Sequence, residues 1–303
     1  IVVIGPTSVG KTKMGVALAK KFNGEVISGD SMQIYKQMDI GTAKVTEEEK
    51  EGIIHHCVDI LNSDETYSVH DFQQTVRKKI TEITQRGHVP IIVGGTGLYI
   101  KAALYDYQFD EMENDHHAIN EKYKDYTNEQ LHDHLKSIDE ESAKTLHFNN
   151  RRRVLRAIEI YETTGKRKSE MLEEQEHICL YDAYFVGLTL PRDVLYERIN
   201  KRVDVMMENG LKEEMERLYS QGLTRNHQSM KAIGYKEWFD YYDHQIDLND
   251  VLELIKKHSR QYAKRQYTWF KNQFDVHWYD VNLENFEQTI EQVTDDIEKI
   301  LKV

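Results

Sequence analysis

The opening segment constrains the fold of this chain more than any other. Ile1 to Ile4 reads as a short buried strand, Gly5-Pro6-Thr7-Ser8-Val9-Gly10-Lys11-Thr12 as a glycine loop, and Lys11 to Phe22 as a helix that Asn23-Gly24 stops. The octapeptide fits the P-loop pattern at every position and stands between a strand and a helix, the context that pattern requires. Backbone N–H groups of such a loop, with the helix N-terminus behind them, hold phosphate oxygens. Lys11 adds a point charge, and the Thr12 hydroxyl can ligate Mg²⁺. Gly5, Pro6, Thr7, Ser8, Val9, Gly10, Lys11 and Thr12 are therefore the candidate phosphate-binding residues.

Strands and helices continue to alternate. Glu25 to Ser28 is a second short strand, and a helix runs from Ser68 to Arg86 with Ser68 and Asp71 as a capping box. Val69, Phe72, Val76, Ile80 and Ile83 form its apolar stripe, Gly87 ends it, and the buried strand Pro90 to Gly95 follows. This order predicts an α/β fold: a P-loop-type, doubly wound parallel sheet whose ligand crevice lies at the carboxyl ends of the strands. From Asp106 to Glu141 the sequence turns polar, acidic and helix-forming, and the basic helix near Arg151 continues it. The expected organisation is a core over 1–105, an inserted helical subdomain over 106–180, and a completion of the core over 181–303. In that last part Tyr184 to Leu190 is strand and the remainder is read as helical to the end.

Composition narrows the class. The 303 residues are 39% hydrophobic and 30% charged, as in ordinary globular proteins. The longest apolar runs fall far short of the roughly 20 residues that span a bilayer, so no membrane partner is expected. Ile1 already reads as strand interior, which leaves a preceding segment open. Cys57 and Cys179 stand far apart without a CxxC partner, which fits free thiols in a reducing cytoplasm. The net charge of −12 is unfavourable for a nucleic-acid partner unless positive charge is concentrated locally.

A P-loop announces phosphate without naming a reaction. Nucleotide hydrolases place a Mg²⁺-binding Asp after a later apolar strand, but here that strand ends in Gly94-Gly95-Thr96. Asp30, just after the second strand, faces the crevice either as a helix cap or as a catalytic carboxylate. Arg198 and Arg202 share a helix face, as a diphosphate clamp or as a solvated pair for Glu197 and Asp204. Two acid-poor basic blocks, Arg151 to Lys168 and Lys256 to Lys271, point to nucleic-acid contact despite the acidic total. Neighbouring histidines at His55-His56 and His116-His117 diverge on any regular backbone and make no chelating pair.

Five strings taken together resemble one family, the tRNA dimethylallyltransferases or tRNA isopentenyltransferases: GPTSVGKT, ISGDSMQIYKQMDIGTAK from Ile27, VGGTGLYIKAAL from Val93, KAIGYKE from Lys231 and KRQYTWF from Lys264. The resemblance covers nearly the whole length and is weakest over 106–141. It implies a bacterial-type enzyme, since no zinc-finger pattern follows. Such an enzyme transfers a dimethylallyl group from dimethylallyl diphosphate to N6 of adenosine 37, beside the anticodon of tRNAs that read codons beginning with U. It further implies that Asp30 is the general base, that Lys11, Thr12 and Arg202 bind the diphosphate, and that Mg²⁺ at Thr12 neutralises it. Asp30, Ser31, Met32, Gln33, Thr96, Arg152, Arg153, Arg156, Lys231, Gly234, Tyr235, Lys236, Lys264, Arg265, Gln266 and Trp269 are implied to face tRNA. The partners implied are the anticodon stem-loop of tRNA, held by both basic blocks, and dimethylallyl diphosphate, with the protein a cytoplasmic monomer. The rival reading from the residues alone is a P-loop small-molecule kinase, in which Asp30 activates a substrate hydroxyl. An isopentenyltransferase of free adenine nucleotides leaves the basic blocks without a purpose, and a non-catalytic RNA-binding module leaves the P-loop without one.

Overall fold

A computed structural model describes residues 1–107, 116–173 and 177–301. Ile1–Leu104 together with Tyr181–Val303 make one compact unit, and Tyr105–Leu180 make the other. The first unit opens with β1 (Val2–Ile4), α1 (Lys11–Lys21), β2 (Gly24–Ser28), α2 (Glu47–Lys50) and β3 (His55–His56). It continues with α3 (Val69–Gln85), β4 (Val89–Gly94) and α4 (Gly97–Leu104). The capping box read at Ser68 and Asp71 forms: each side chain accepts the other's backbone N–H, and Gly87 turns the chain with a left-handed φ of 77°.

Among the described residues six strands form one parallel sheet in the order β3-β2-β4-β1-β5-β6, with β5 at Phe185–Thr189 and β6 at His277–Asp280. From β1 the chain crosses to β2 and β3, returns to insert β4 between β1 and β2, and then continues on the other side of β1 through β5 and β6. The sheet is thus doubly wound, with its switch point at β1. Both faces are covered, which is why the strands read as near-continuous apolar runs. On one face Val3, Val26, Ile91, Val186 and Leu188 pack with Met14 and Leu18 of α1 and with Val293 and Ile297 of α14 (Phe286–Leu301). The alternate residues Ile4, Ile27 and Ile92 are buried as well, and α3 lies against β2 and β4.

The segment after β5 is not helical throughout. It carries α10 (Arg192–Glu208), α11 (Leu211–Ser220), α12 (Trp238–Tyr242) and the long α13 (Leu248–Gln273), but then adds β6, which pairs in parallel with β5. β6 and the two-residue β3 lie at the sheet edges. Each is too short, and too polar at its exposed positions, to show a buried-strand pattern in sequence.

A buried charge fixes the floor of the sheet, away from the strand ends that carry the P-loop. Glu25, only 2% exposed at the start of β2, takes a forked pair from Arg86 and bonds His56 and His88 at 2.6 and 2.8 Å. Burial alone would raise its carboxyl, but Arg86 and the two histidines outweigh that and hold it at about 2.

The second unit is built of α5 (His116–Lys122), α6 (Asn128–Ile138), α7 (Glu140–Thr145), α8 (Arg151–Thr164) and α9 (Lys168–Glu173) around Leu131, Leu135, Val154, Leu155 and Ile158. Buried Asp139 accepts from the backbone N–H of Ser142 and from Ser169, tying α7 to α9. Arg151, counted in the first basic block, donates to the carbonyls of Tyr123 and Tyr126 and so braces the helices of this unit. The chain enters and leaves by a short antiparallel pairing: Tyr105 bridges Cys179, and Asp106 exchanges two hydrogen bonds with Ile178, each of 3.0 Å. The side chains of His116 and His117 lie outside the described residues.

Candidate active site

The strand order explains why distant sequence motifs converge. β4 lies between β1 and β2, so the loops leaving these three carboxyl ends are neighbours: the P-loop after β1, Asp30 after β2 and Gly94-Gly95-Thr96 after β4. Gly94 is required by close approach, since a Cβ there would stand 2.4 Å from the Gly29 carbonyl carbon. That contact draws the two loops together, and the Thr96 hydroxyl accepts the Ser31 N–H at 3.2 Å.

The P-loop is shaped for an anion. Unlike α3, α1 has no side-chain cap and no acid in its first turn, so its N-terminal N–H groups are left for a ligand. Ser8 Oγ is buried with no hydrogen-bond partner among the described residues, and the Ser8 carbonyl accepts from Arg198 Nε at 3.0 Å. Lys11 Nζ donates to the Pro6 carbonyl at 2.8 Å. Burial first, and then Arg202, lower the Lys11 ammonium to about 7, although Asp30 pulls the other way. Burial likewise lowers Arg202, against Glu49 and Asp30. Two cations thus share a partly dry site, with the charge of Asp30 acting on both. Asp204, a sequence candidate to neutralise this helix face, instead pairs with Lys256 at 2.8 Å.

Two cavities meet at Asp30. The larger, about 340 Å³, runs from Thr7, Ser8 and Arg202 to an apolar side of Ile199, Val203, Met206 and Ile255, and is bounded by the 41–43 and 231–236 loops. The smaller, about 60 Å³, holds Lys11, Thr12, Gln33 and Gly95. Asp30 lines both. It caps no helix: Oδ1 accepts the Met32 N–H at 2.8 Å in a turn, and Oδ2 has no hydrogen-bond partner among the described residues. Tyr262 of α13 reaches the same space and donates to the Gly95 carbonyl at 3.3 Å. Burial, with the charge of Asp30 next, pushes its phenol up to about 12. Among the described residues no cluster of three His, Cys, Asp or Glu could hold a metal. The Thr12 hydroxyl and the Asp30 carboxylate, which line the smaller cavity, are nevertheless oxygen donors of the kind Mg²⁺ takes.

The walls of the larger cavity depend on residues the sequence reading passed over. Glu214 of α11 is 2% exposed and accepts three successive backbone N–H groups, those of Asp39, Ile40 and Gly41, at 2.9, 2.9 and 3.0 Å. It also takes the Tyr235 hydroxyl at 2.6 Å. Buried Glu237 does the same for the facing turn, accepting from Gly234 N at 2.9 Å and bonding His258 at 2.6 Å. A signal was present for Glu214: Leu211, Glu214, Met215 and Leu218 form one buried helical stripe, and only one of them is charged.

Replacing Glu214 by Ala orphans several buried donors, each worth about 1–3 kcal/mol. The thermal midpoint is expected to fall by roughly 5 °C or more, while Glu214→Gln, which keeps one acceptor, falls less. Circular dichroism melts of the two variants check this.

Two residues expected to face nucleic acid have side chains turned inward. Tyr235 is fully buried, bonded to Glu214 and packed on Gly41. Gln266 is 5% exposed and spends both ends of its amide on backbone: Oε1 accepts from Thr7 N, and Nε2 donates to the Gly95 carbonyl, each at 2.9 Å. Gln33 is half-buried and holds Ser28 and the 42–43 carbonyls, and Trp269 lies against Gly97. Ser31, Met32, Gly234, Lys231, Lys236 and Arg265 line the larger cavity, and Lys264 is exposed on α13. In the second unit Arg152 and Arg153 are exposed on α8, while Arg156 pairs with buried Glu159 at 2.8 Å.

A doubly wound parallel sheet whose P-loop faces a carboxylate-bearing cavity, with no acid after the adjacent strand, defines an α/β protein with a P-loop-type core. Residues 33–273 match the family model described as IPP transferase, and the chain belongs to that family. It is 54% identical over 283 residues to the tRNA dimethylallyltransferase of Bacillus cereus (strain AH187), covering 92% of this chain and 89% of the relative. It also resembles the solved tRNA isopentenylpyrophosphate transferase of Staphylococcus epidermidis, at 48% identity and TM-score 0.73 over 98% of both chains. A eukaryotic dimethylallyltransferase, solved in a study of its action on tRNA, superposes with TM-score 0.86 at 32% identity, over 99% of this chain and 79% of that one. No described helix is long and apolar enough to cross a membrane.

Proposed function

We propose that this chain transfers a dimethylallyl group from dimethylallyl diphosphate to N6 of adenosine 37 in tRNAs reading codons that begin with U, releasing diphosphate. The observation that carries this reading is the meeting of an uncapped P-loop, two partly desolvated cations and the open Oδ2 of Asp30 around two cavities that join at that carboxylate. The family membership and the names of the relatives above add to it.

The exocyclic amine of adenine is a poor nucleophile because its lone pair is delocalised into the ring. As the N6–C bond forms, the allylic C–O bond breaks and its electron pair leaves with the diphosphate. Asp30 accepts the N6 proton. P-loop N–H groups, Lys11 and Arg202 receive the charge that develops on the leaving oxygens. Thr12 is the residue that would hold Mg²⁺, which when bound neutralises the diphosphate. A base stacked in an anticodon loop must be extruded to reach Asp30. The loops carrying Ser31, Met32, Gln33, Thr96, Lys231, Gly234 and Lys236 would receive it, with Trp269 nearby. The exposed charges of Lys264 and Arg265, and those of Arg152 and Arg153 with half-buried Arg156 beside them, would contact tRNA phosphates. We place the reaction in the cytoplasm, carried out by a monomer.

Incubating the protein with labelled dimethylallyl diphosphate, labelled ATP and unmodified tRNA tests the reading. Label should pass from the allylic diphosphate to adenosine 37, and ATP should be neither required nor consumed. ATP-dependent transfer of phosphate to a small molecule would overturn this in favour of a kinase.

A further inference from the structure

Gln266 joins the P-loop to the end of β4 through a single buried amide. One of its oxygen lone pairs is filled by the Thr7 N–H, and its NH₂ group faces the Gly95 carbonyl, which Tyr262 also approaches. The fit is tight: a Cβ built on Gly95 would lie 2.1 Å from Gln266 Nε2 and 3.8 Å from Lys11 Nζ. Thr7 opens the segment that cradles phosphate, while Gly95 precedes Thr96, whose hydroxyl holds the Ser31 loop beside Asp30. The two loops this amide spans carry, respectively, the anion site and the support for the carboxylate.

We propose that Gln266 is a positioning residue for the reaction: it sets the distance and register between the diphosphate-holding loop and the strand end that supports Asp30. This rests on the transferase reading above. The amide is suited to the task because it must accept at one end and donate at the other. A buried donor or acceptor left without its partner costs more than the bond itself contributes, so the pair of backbone groups admits one side-chain pattern. Gln266→Met keeps the bulk and loses both bonds. Gln266→Glu can still accept from Thr7, but as a carboxylate it presents a lone pair to the Gly95 carbonyl. When protonated, that variant regains the accept-and-donate pattern.

The test measures steady-state constants for both substrates, and the binding of inorganic diphosphate by calorimetry, for wild type, Gln266→Met and Gln266→Glu. Losing a hydrogen bond of this kind is expected to weaken inorganic diphosphate and raise KM for dimethylallyl diphosphate by about 10-fold in Gln266→Met. KM for tRNA should stay within about twofold of wild type, because the side chain is buried away from that partner. Gln266→Glu should show the same defect at pH 8 and recover relative to wild type as the pH falls towards 6, a pH profile that mere loosening of the fold does not produce. Unchanged diphosphate binding and unchanged KM in both variants, with wild type active, would overturn the positioning role and leave the transferase reading intact. Weakened diphosphate binding in the variants of a wild type that alkylates no tRNA would keep the role and sink that reading.

Discussion

Asp30→Asn folds normally, binds tRNA as wild type does, and turns over about 10²-fold or more slowly, the scale of a lost general base. The substitution leaves the local turn in place, because an Asn oxygen still accepts the Met32 N–H that Oδ1 holds at 2.8 Å. What it removes is the capacity of the open Oδ2 to take a proton. It also removes a negative charge that raises Lys11, so Lys11 sheds its proton at lower pH in the variant. Single-turnover rates should therefore be compared over a pH series reaching well below 7, so that Lys11 becomes charged in both proteins, with tRNA affinity measured separately. A variant whose single-turnover rate approaches that of wild type would remove Asp30 from the chemistry.

Arg202→Ala is expected to lower turnover by roughly 10²- to 10³-fold, as when a group aimed at developing charge is deleted, and to weaken diphosphate. A second consequence follows from Lys11. In the ligand-free protein Lys11 sits at about 7, held down by burial and by Arg202. A bound diphosphate favours the charged ammonium and raises it. Between the two values binding takes up a proton, so affinity for diphosphate falls as the pH rises through about 7. In Arg202→Ala the ligand-free Lys11 rises, and proton uptake at pH 8 shrinks even though binding is weaker. Calorimetry in buffers of different ionisation enthalpy reads this directly. Equal uptake in the two proteins would show that Lys11 and Arg202 do not share the anion.

Much of this arrangement is legible in the sequence, for physical reasons. The P-loop, the capped α3 and the apolar strands are local patterns, and the doubly wound sheet follows from their alternation. Asp30 was placed at the crevice by its position after β2, but whether it capped a helix was decided only by the turn at Met32. The edge strands β3 and β6 escaped because two histidines, and a four-residue strand with polar His277 and Asp280 at its ends, carry no burial signal. Tyr235 and Gln266 lie in strings that mark the site, yet a string does not say which way a side chain points. Periodicity does: Ala263, Gln266 and Phe270 share one buried stripe of α13, and Lys264 and Arg265 fall outside it. Glu214 follows the same rule on α11. A polar residue in phase with an apolar stripe marks a backbone that needs a partner.

The paired entry and exit of the second unit bear on how such a chain folds and diverges. Because Tyr105 and Cys179 are bridged, the α/β core meets the insertion as a closed loop rather than as a break in its own connectivity. The entropy of closing a loop grows only with the logarithm of its length, about 0.6 kcal/mol for each doubling. Lengthening or shortening the insertion therefore costs the core little. A change of length among α5 to α9 is thus absorbed within that unit, while the P-loop, Asp30 and Gln266 are held by pairings that leave no such slack.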